Sequence, residues 1–126
     1  MHRARILIVD DEPQLLRALR SVFGRDRRWD LVFAEGGRDA LAELHRGEFD
    51  VVVSDMRMPD VDGVALLEAV RQDSPQTVRL MMSGAVDFDE TDLASGLAHE
   101  LVGKPFSPAR LRETIERWLG RNLVAN

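Results

Sequence analysis

The feature of this sequence that most constrains its fold is a short apolar run that recurs five times, each time followed by an amphipathic stretch. The runs are rich in β-branched and other aliphatic residues, which is typical of strands buried on both faces of a sheet. They are RILIVD (5–10), DLVFA (30–34), DVVVS (50–54), VRLMMS (78–83) and ELV (100–102).

The stretches between and after these runs carry their leucines and valines at helical spacing. We predict helices over 12–25, 38–46, 63–72, 87–98 and 108–119, the fourth weakened by Gly96. The last one begins with Ser107 as N-cap and Pro108 at its first position. Strands alternating with helices predict an α/β fold, a doubly wound parallel sheet of five strands with helices on both faces.

Composition removes several classes of function. The chain has 126 residues and no cysteine, so we expect one domain without disulfides or a zinc–cysteine site. Its net charge of −5 argues against direct binding of nucleic acid. It has no apolar run of membrane-spanning length and its start does not resemble a signal peptide, so we expect no membrane partner and a cytoplasmic location.

Polar side chains stand at the carboxyl ends of four predicted strands. They are Asp10 and Asp11 after the first strand, Asp55 after the third, Ser83 at the end of the fourth and Lys104 after the fifth. The carboxyl ends of parallel strands share one edge of a sheet, where ligands bind at the switch point of strand order. We therefore expect three carboxylates, one hydroxyl and one ammonium to converge there.

Three clustered carboxylates repel one another unless a cation lies among them. Mg²⁺ fits because it prefers oxygen ligands and uses one or two carboxylates. Together with a lysine and a hydroxyl, such an ion neutralises a phosphoryl group during transfer. Lys104 is the chain's single lysine among 17 basic residues, and its compact ammonium suits one phosphoryl oxygen.

The motifs ILIVDDEP, DVVVSDMRMPDVDG, MMSG and GKPF, in this order, resemble the receiver domain of two-component response regulators. The resemblance covers essentially the whole chain and implies a receiver domain over residues 1–122, with 123–126 as a tail or the start of a linker. It also implies the flavodoxin-like strand order 2-1-3-4-5. The domain would be a signalling domain that catalyses only its own phosphorylation and dephosphorylation, not an enzyme acting on other substrates.

The resemblance also implies roles for single residues. Asp55 would accept the phosphoryl group from a phosphohistidine of a sensor histidine kinase or phosphotransfer protein. Mg²⁺ would be held by Asp10, Asp11, Asp55 and the backbone carbonyl of Arg57.

Three further residues would complete this site. Ser83 would bond the phosphoryl group through its hydroxyl and Lys104 through its ammonium. The bond before Pro105 would be cis, as is typical of the family's Lys-Pro pair.

The chain departs from the family at Leu101, three residues before Lys104, where the family usually has Tyr or Phe. A leucine cannot make the usual aromatic rotamer change, so the response to phosphorylation is open. The alternative function is therefore a receiver-like interaction domain that works without phosphorylation. Arg57 and Ala85 stand at the positions that tune phosphate lifetime in the family, and they predict slow self-dephosphorylation.

Two other classes of protein fit the sequence less well. A haloacid dehalogenase-type phosphatase needs a second aspartate two residues after its nucleophile, and this chain has Arg57 there. A flavin-binding protein of the same topology needs a phosphate loop after the first strand, where the acidic DDEP would repel phosphate.

Partners are also implied by the resemblance, namely an output domain or effector protein and a second copy of the chain. A homodimer would use the fourth helix, the fifth strand and the last helix. Its salt-sensitive contacts would pair the acidic start of the fourth helix with arginines of the last one, namely Asp87, Asp89, Glu90 and Asp92 with Arg110, Arg112 or Arg117. The alternative interpretation of these acids is that they compensate the helix dipole on a solvated face.

Overall fold

A computed structural model describes residues 3–84, 95–104 and 107–125. In chain order its elements are β1 (Ala4–Val9), α1 (Pro13–Phe23), β2 (Trp29–Ala34), α2 (Gly37–Arg46), β3 (Val51–Asp55), α3 (Gly63–Asp73), β4 (Val78–Ser83), β5 (Glu100–Gly103) and α4 (Pro108–Ala125). None of the helices in these ranges has the length and apolarity needed to span a lipid bilayer.

The five strands form one parallel sheet in the order β2-β1-β3-β4-β5. This is the flavodoxin-like order that the resemblance to receiver domains implies. The switch point lies where β1 is flanked by β2 on one side and β3 on the other, so the loops after β1 and β3 diverge to opposite faces. Asp10 and Asp11 lie in the first of these loops, and Asp55 is the last residue of β3, directly before the second.

Alternating residues of the strands fill two cores, one on each face of the sheet. In β1, Ile6 and Ile8 point toward α1 and α4, whereas Leu7 and Val9 point toward α2 and α3. All four are fully buried, because helices cover both faces of this part of the strand. This packing on both faces holds the central strands in place and thereby fixes the positions of the polar residues at their ends.

Most predicted elements are confirmed, but two predicted ends are wrong. The last helix continues beyond Leu119 to Ala125, because Gly120 costs a helix only about 1 kcal/mol relative to Ala and no proline follows it. The fourth predicted helix lies outside the described residues except for 95–98, which form a turn. Gly96 has φ +81°, a left-handed conformation that ends a helix.

An arginine lies inside the sheet and joins β4 to the turn before β5. Arg79 is 5% exposed, and its guanidinium donates to the carbonyl oxygens of Pro75, Thr77, Gly96 and Leu97 at 2.8–3.1 Å. Burial lowers the pKa of Arg79, and the neighbouring Arg71 adds to this. The turn that leads into β5 is thereby attached to the sheet by a buried cation.

Helix α4 is held by hydrogen bonds at its start and by ion pairs along its length. Ser107 accepts from the backbone N–H of Arg110 at 3.2 Å, which confirms it as the N-cap. Further along, Arg112 donates to Asp26 at 2.7 Å and Arg117 donates to Glu100 at 3.0 Å. Two of the arginines predicted to serve a dimer thus already pair with carboxylates of their own chain.

Candidate functional site

Three aspartates meet at the carboxyl edge of the sheet, as predicted from their places in the sequence. Carboxylate oxygens of Asp10, Asp11 and Asp55 all lie within 4.8 Å of one another. Asp10 follows β1 and is fully buried, Asp55 is the last residue of β3 and is 8% exposed, and Asp11 is exposed. The cluster therefore has two buried carboxylates and one that faces solvent.

Lys104 lies between the two buried carboxylates, although it is 94 residues from one of them. Its Nζ donates to Asp10 Oδ2 at 3.0 Å and lies 3.2 Å from Asp55 Oδ1. A third carboxylate oxygen, from Glu12, is 3.8 Å from the same nitrogen. The prediction that the sole lysine reaches Asp55 across the sheet edge is confirmed.

Lys104 is brought there by pairing between the last two strands. β5 is parallel to β4, with Ser83 opposite Gly103, and the backbone N–H of Lys104 donates to the carbonyl of Ser83 at 2.8 Å. The lysine therefore leaves the sheet directly beside Ser83. Any displacement of the end of β4 would move the backbone of Lys104 as well.

The buried acids have perturbed pKa values. Burial raises the pKa of Asp55, and the charge of Asp10 raises it further, while Lys104 acts in the opposite direction. Burial also raises the pKa of Asp10, against the hydrogen bonds from Glu12 N–H and Lys104. For Lys104, burial alone would lower the pKa, but its bonds to Asp10 and Asp55 outweigh it and raise the pKa. One ammonium is thus insufficient to neutralise the cluster.

This charge imbalance suits a divalent cation. Two oxygens bound to one Mg²⁺ at about 2.1 Å lie at most about 4.2 Å apart, so the aspartate oxygens need only small side-chain rotations or one bridging water. All three aspartates supply oxygen, the ligand atom that hard cations prefer. The residues present therefore fit a hard cation such as Mg²⁺.

Ser83 is nearly fully buried and lies one step beyond the residue paired with Asp55. In the register of β3 with β4, Asp55 is opposite Met82. The Ser83 hydroxyl donates to the carbonyl of Gly84 at 3.1 Å and lies 3.9 Å from the sulfur of Met56. It is thus beside the Asp55–Met56 turn, and rotation about its χ1 would change which acceptor it meets.

The loop after β3 returns close beneath the Asp55 backbone, and this requires glycine at position 63. A Cβ added to Gly63 would lie 2.1 Å from the Asp55 carbonyl oxygen and 2.9 Å from Met56 Cα. The Gly63 N–H donates to the Met56 carbonyl at 2.9 Å, and Asp62 caps α3 through the N–H of Ala65. The loop is therefore closed tightly at both of its ends.

Other predicted residues lie around this centre or outside the described part of the chain. Arg57 is exposed in the β3–α3 loop, so its carbonyl belongs to the same loop as the cluster, and its metal role stays a prediction. Leu101 is partly buried against the core that contains Met81 and does not extend freely into solvent. Ala85, Pro105 and the four acids of the fourth predicted helix lie outside the described residues.

Sequence reasoning missed one residue near the site. Asp60 reads as an ordinary turn residue, yet its carboxylate accepts three backbone hydrogen bonds, two of them from the start of α2. The signal that pointed to it is the Gly36-Gly37 start of that helix. Helix α2 has no capping side chain of its own, so the N–H groups of its first turn need an acceptor from another segment.

Comparison with known proteins identifies the class that this fold and site define. Residues 6–116 match the family model described as the response regulator receiver domain. The chain therefore belongs to the receiver domains of two-component response regulators. Receiver domains are signalling domains that pair with histidine kinases and with output domains.

Individual relatives agree with this assignment. The chain is 36% identical to the transcriptional regulatory protein TrcR of Mycobacterium tuberculosis, over 93% of this chain and 49% of TrcR. It is 36% identical to the response regulator protein PilR of Pseudomonas aeruginosa, over 91% of this chain and 26% of PilR. It thus spans half or less of the length of these curated relatives.

A solved structure gives the same result for the fold. The chemotaxis response regulator CheY4 of Vibrio cholerae superimposes with a TM-score of 0.80 at 30% identity, covering 93% of this chain and 99% of CheY4.

Proposed function

We propose that this domain accepts a phosphoryl group on Asp55 from a phosphohistidine of a histidine kinase or phosphotransfer protein, with Mg²⁺ in the acidic cluster. The observation that carries the proposal is the position of Lys104, whose ammonium lies 3.0 Å from Asp10 and 3.2 Å from Asp55. A cation held beside a nearly buried carboxylate is expected where negative charge must be brought close to that carboxylate.

In this reaction an Asp55 carboxylate oxygen attacks phosphorus in line with the bond to the histidine nitrogen. That P–N bond breaks, its electron pair stays on the imidazole, and an acyl phosphate forms on Asp55. Lys104 lies where its ammonium would bind one phosphoryl oxygen, and Ser83 would donate to another after turning from Gly84. Hydrolysis by water would later return the carboxylate and inorganic phosphate.

Mg²⁺ would neutralise charge on the phosphoryl oxygens and hold the group against Asp55. Asp10, Asp11 and Asp55 would supply carboxylate oxygens and Arg57 its backbone carbonyl, with Asp10 acting through water. The cluster supports this role because Lys104 supplies one positive charge against three aspartates.

Phosphorylation would then alter a surface read by an output domain or effector. Moving the Ser83 hydroxyl toward a phosphoryl group would act on Lys104 through the bond from Lys104 N–H to the Ser83 carbonyl. Leu101 would repack instead of undergoing the family's aromatic rotation. A cytoplasmic setting, and a homodimer through the surface that includes β5 and α4, belong to this proposal as well.

The decisive experiment is to incubate the chain with a small phosphodonor and Mg²⁺ and to measure the intact mass. We expect a gain of one phosphoryl group that hydroxylamine removes, as it does for acyl phosphates. Asp55→Ala should gain nothing. Asp73→Asn is the matched control, because it removes an aspartate from the exposed end of α3 and should be phosphorylated normally.

A folded wild-type chain that gains no phosphoryl group would refute the proposal. It would favour the alternative interaction domain, in which partner binding is the same with and without a phosphodonor. Phosphorylation that persists in Asp55→Ala would place the acceptor elsewhere.

A further inference from the structure

The loop that follows Asp55 is attached to a second element, the amino end of α2. Asp60 Oδ1 accepts from the N–H of Gly37 at 3.1 Å, and Oδ2 accepts from the N–H of Arg38 at 3.0 Å. Oδ1 also accepts from the N–H of Val61 at 2.7 Å. One exposed carboxylate thus caps a helix whose own sequence begins with two glycines and offers no capping side chain.

The two glycines are an independent sign that this contact is built into the fold. A Cβ on Gly37 would lie 2.4 Å from the Val61 carbonyl oxygen, so the two loops touch backbone to backbone. Gly36 has φ +107°, and a Cβ there would approach Asp60 Oδ2 to 3.1 Å. Both positions favour glycine because any larger residue would push the β3–α3 loop away from α2.

The ionised state of Asp60 is matched to this position. The N–H of Arg38 contributes most, and with those of Val61 and Gly37 it lowers the pKa of Asp60 to about 2. A carboxylate at a helix start is also favoured by the helix dipole. Asp60 therefore remains a charged acceptor across the physiological pH range.

The same loop carries Arg57, whose carbonyl is the metal ligand that the proposed function requires. The loop is closed at its ends by Met56 and Gly63, and Met58 is buried in the core below it. Asp60 supplies a lateral attachment between these points, three residues from Arg57. Losing this attachment would let the loop shift relative to the aspartates of the cluster.

We propose that Asp60 is a positioning residue that fixes the Arg57 carbonyl through its bonds to the start of α2, and thereby sets the affinity of the cluster for Mg²⁺. The inference rests on the proposed function, since it assumes that the cluster binds this ion. It adds α2 to the elements on which the site depends. Outer partners of metal ligands commonly change affinity about 10- to 100-fold when removed.

The test is calorimetric titration of Mg²⁺ into the full chain, without any phosphodonor, together with urea unfolding of each variant. We expect Asp60→Ala to weaken Mg²⁺ binding about tenfold. Asp60→Asn should have a smaller effect, because its amide oxygen still accepts from two of the three N–H groups. Gly37→Ala should weaken binding too, since its Cβ displaces Val61 while every charge is kept.

Asp62→Asn is the matched control. It removes one negative charge from the same loop but retains an amide oxygen that caps α3, so Mg²⁺ affinity should fall less than in Asp60→Asn. Equal losses in these two variants would mean that charge alone matters and would overturn the inference. So would a lower unfolding midpoint in Asp60→Asn and Gly37→Ala with unchanged Mg²⁺ affinity.

Failure of the inference is distinguishable from failure of the proposed function. If Asp11→Asn abolishes Mg²⁺ binding while the Asp60 variants bind normally, Asp60 has no positioning role and the metal site stands. If the wild-type chain binds no Mg²⁺, both are overturned. Should Asp60→Ala not fold, Asp60→Asn and Gly37→Ala provide the same comparison.

Discussion

Replacing Arg79 by methionine tests whether a buried cation stabilises this fold. Arg79 is 5% exposed, and its guanidinium donates four hydrogen bonds to backbone carbonyls. Methionine keeps most of the apolar stem and volume but leaves those carbonyls without their donor. In the described ranges no carboxylate forms an ion pair with this arginine, so the bonds themselves must offset the cost of burying the charge.

The magnitude follows from these contacts. Four hydrogen bonds from a charged donor, at about 1.5 kcal/mol each, favour the native arginine by about 6 kcal/mol. Part of this loss is offset in Arg79→Met, because replacing a buried ion by an apolar side chain removes the desolvation cost of the charge. Water can also reach the turn at Gly96, which is exposed. We expect a net loss of about 2 kcal/mol in the free energy of unfolding, which lowers the urea midpoint by about 1 M.

Urea unfolding followed by tryptophan fluorescence measures this directly, since Trp29 and Trp118 lie in the folded part of the chain. Arg46→Met is the matched control. The Arg46 side chain is 74% exposed and its surface ion pair with Glu43 contributes little, so the free energy of unfolding should change by less than about 0.5 kcal/mol. An Arg79→Met chain as stable as the wild type, or more stable, would refute the reasoning.

Three further predictions follow from the same structure. Gly63→Ala should lower the free energy of unfolding by more than about 2 kcal/mol, because the added Cβ would overlap a carbonyl oxygen. Gly120→Ala is the control and should raise the free energy of unfolding slightly, because the space around Gly120 is open. Urea unfolding midpoints measure both effects. Nδ1 of His99 accepts a hydrogen bond from the N–H of Arg79, and burial together with the charge of Arg79 lowers the pKa of His99. The free energy of unfolding should therefore decrease as the pH falls below about 6.5, and this decrease should be smaller in His99→Asn. Arg57→Asn should speed loss of the acyl phosphate in a mass-spectrometric time course, and an unchanged decay rate would count against a screening role for this arginine.

The sign of the pH effect follows from the proton balance. The pKa of His99 is lower in the folded chain than in the unfolded one, so the unfolded state binds more protons just below the unfolded value. The neutral ring therefore stabilises the fold at neutral pH and loses this effect on acidification. The charge of Arg79 opposes protonation of the ring, which also lies 5.4 Å from the ring of Trp118.

The strand ends and the meeting of the acids were predictable because they depend on local patterns. Short runs such as VVVS and VRLMMS favour buried strands by their length and apolar content, and parallel strands bring their carboxyl ends to one edge. The strand order came from family resemblance, since periodicity does not specify which strands are neighbours.

What the sequence did not reveal are contacts between distant segments. The bonds from Gly37 and Arg38 to Asp60 join residues 23 and 22 positions apart, respectively, and nothing local to MPDVDG marks that acceptor. Arg79 lies within an otherwise apolar strand, and its acceptors lie in two separate segments, before β4 and before β5, whose proximity depends on the rest of the fold. Such contacts depend on tertiary packing, which local propensity does not encode.

The lone lysine gives this chain a built-in reporter. Apart from the terminal amine, Lys104 is the only primary amine in the sequence, and its side chain is 21% exposed between two acids. An acylating reagent would therefore leave a single internal adduct, with no background from the many arginines. The rate at which this adduct forms would change whenever the contacts between the carboxylates and that nitrogen become stronger or weaker, and no dye needs to be attached.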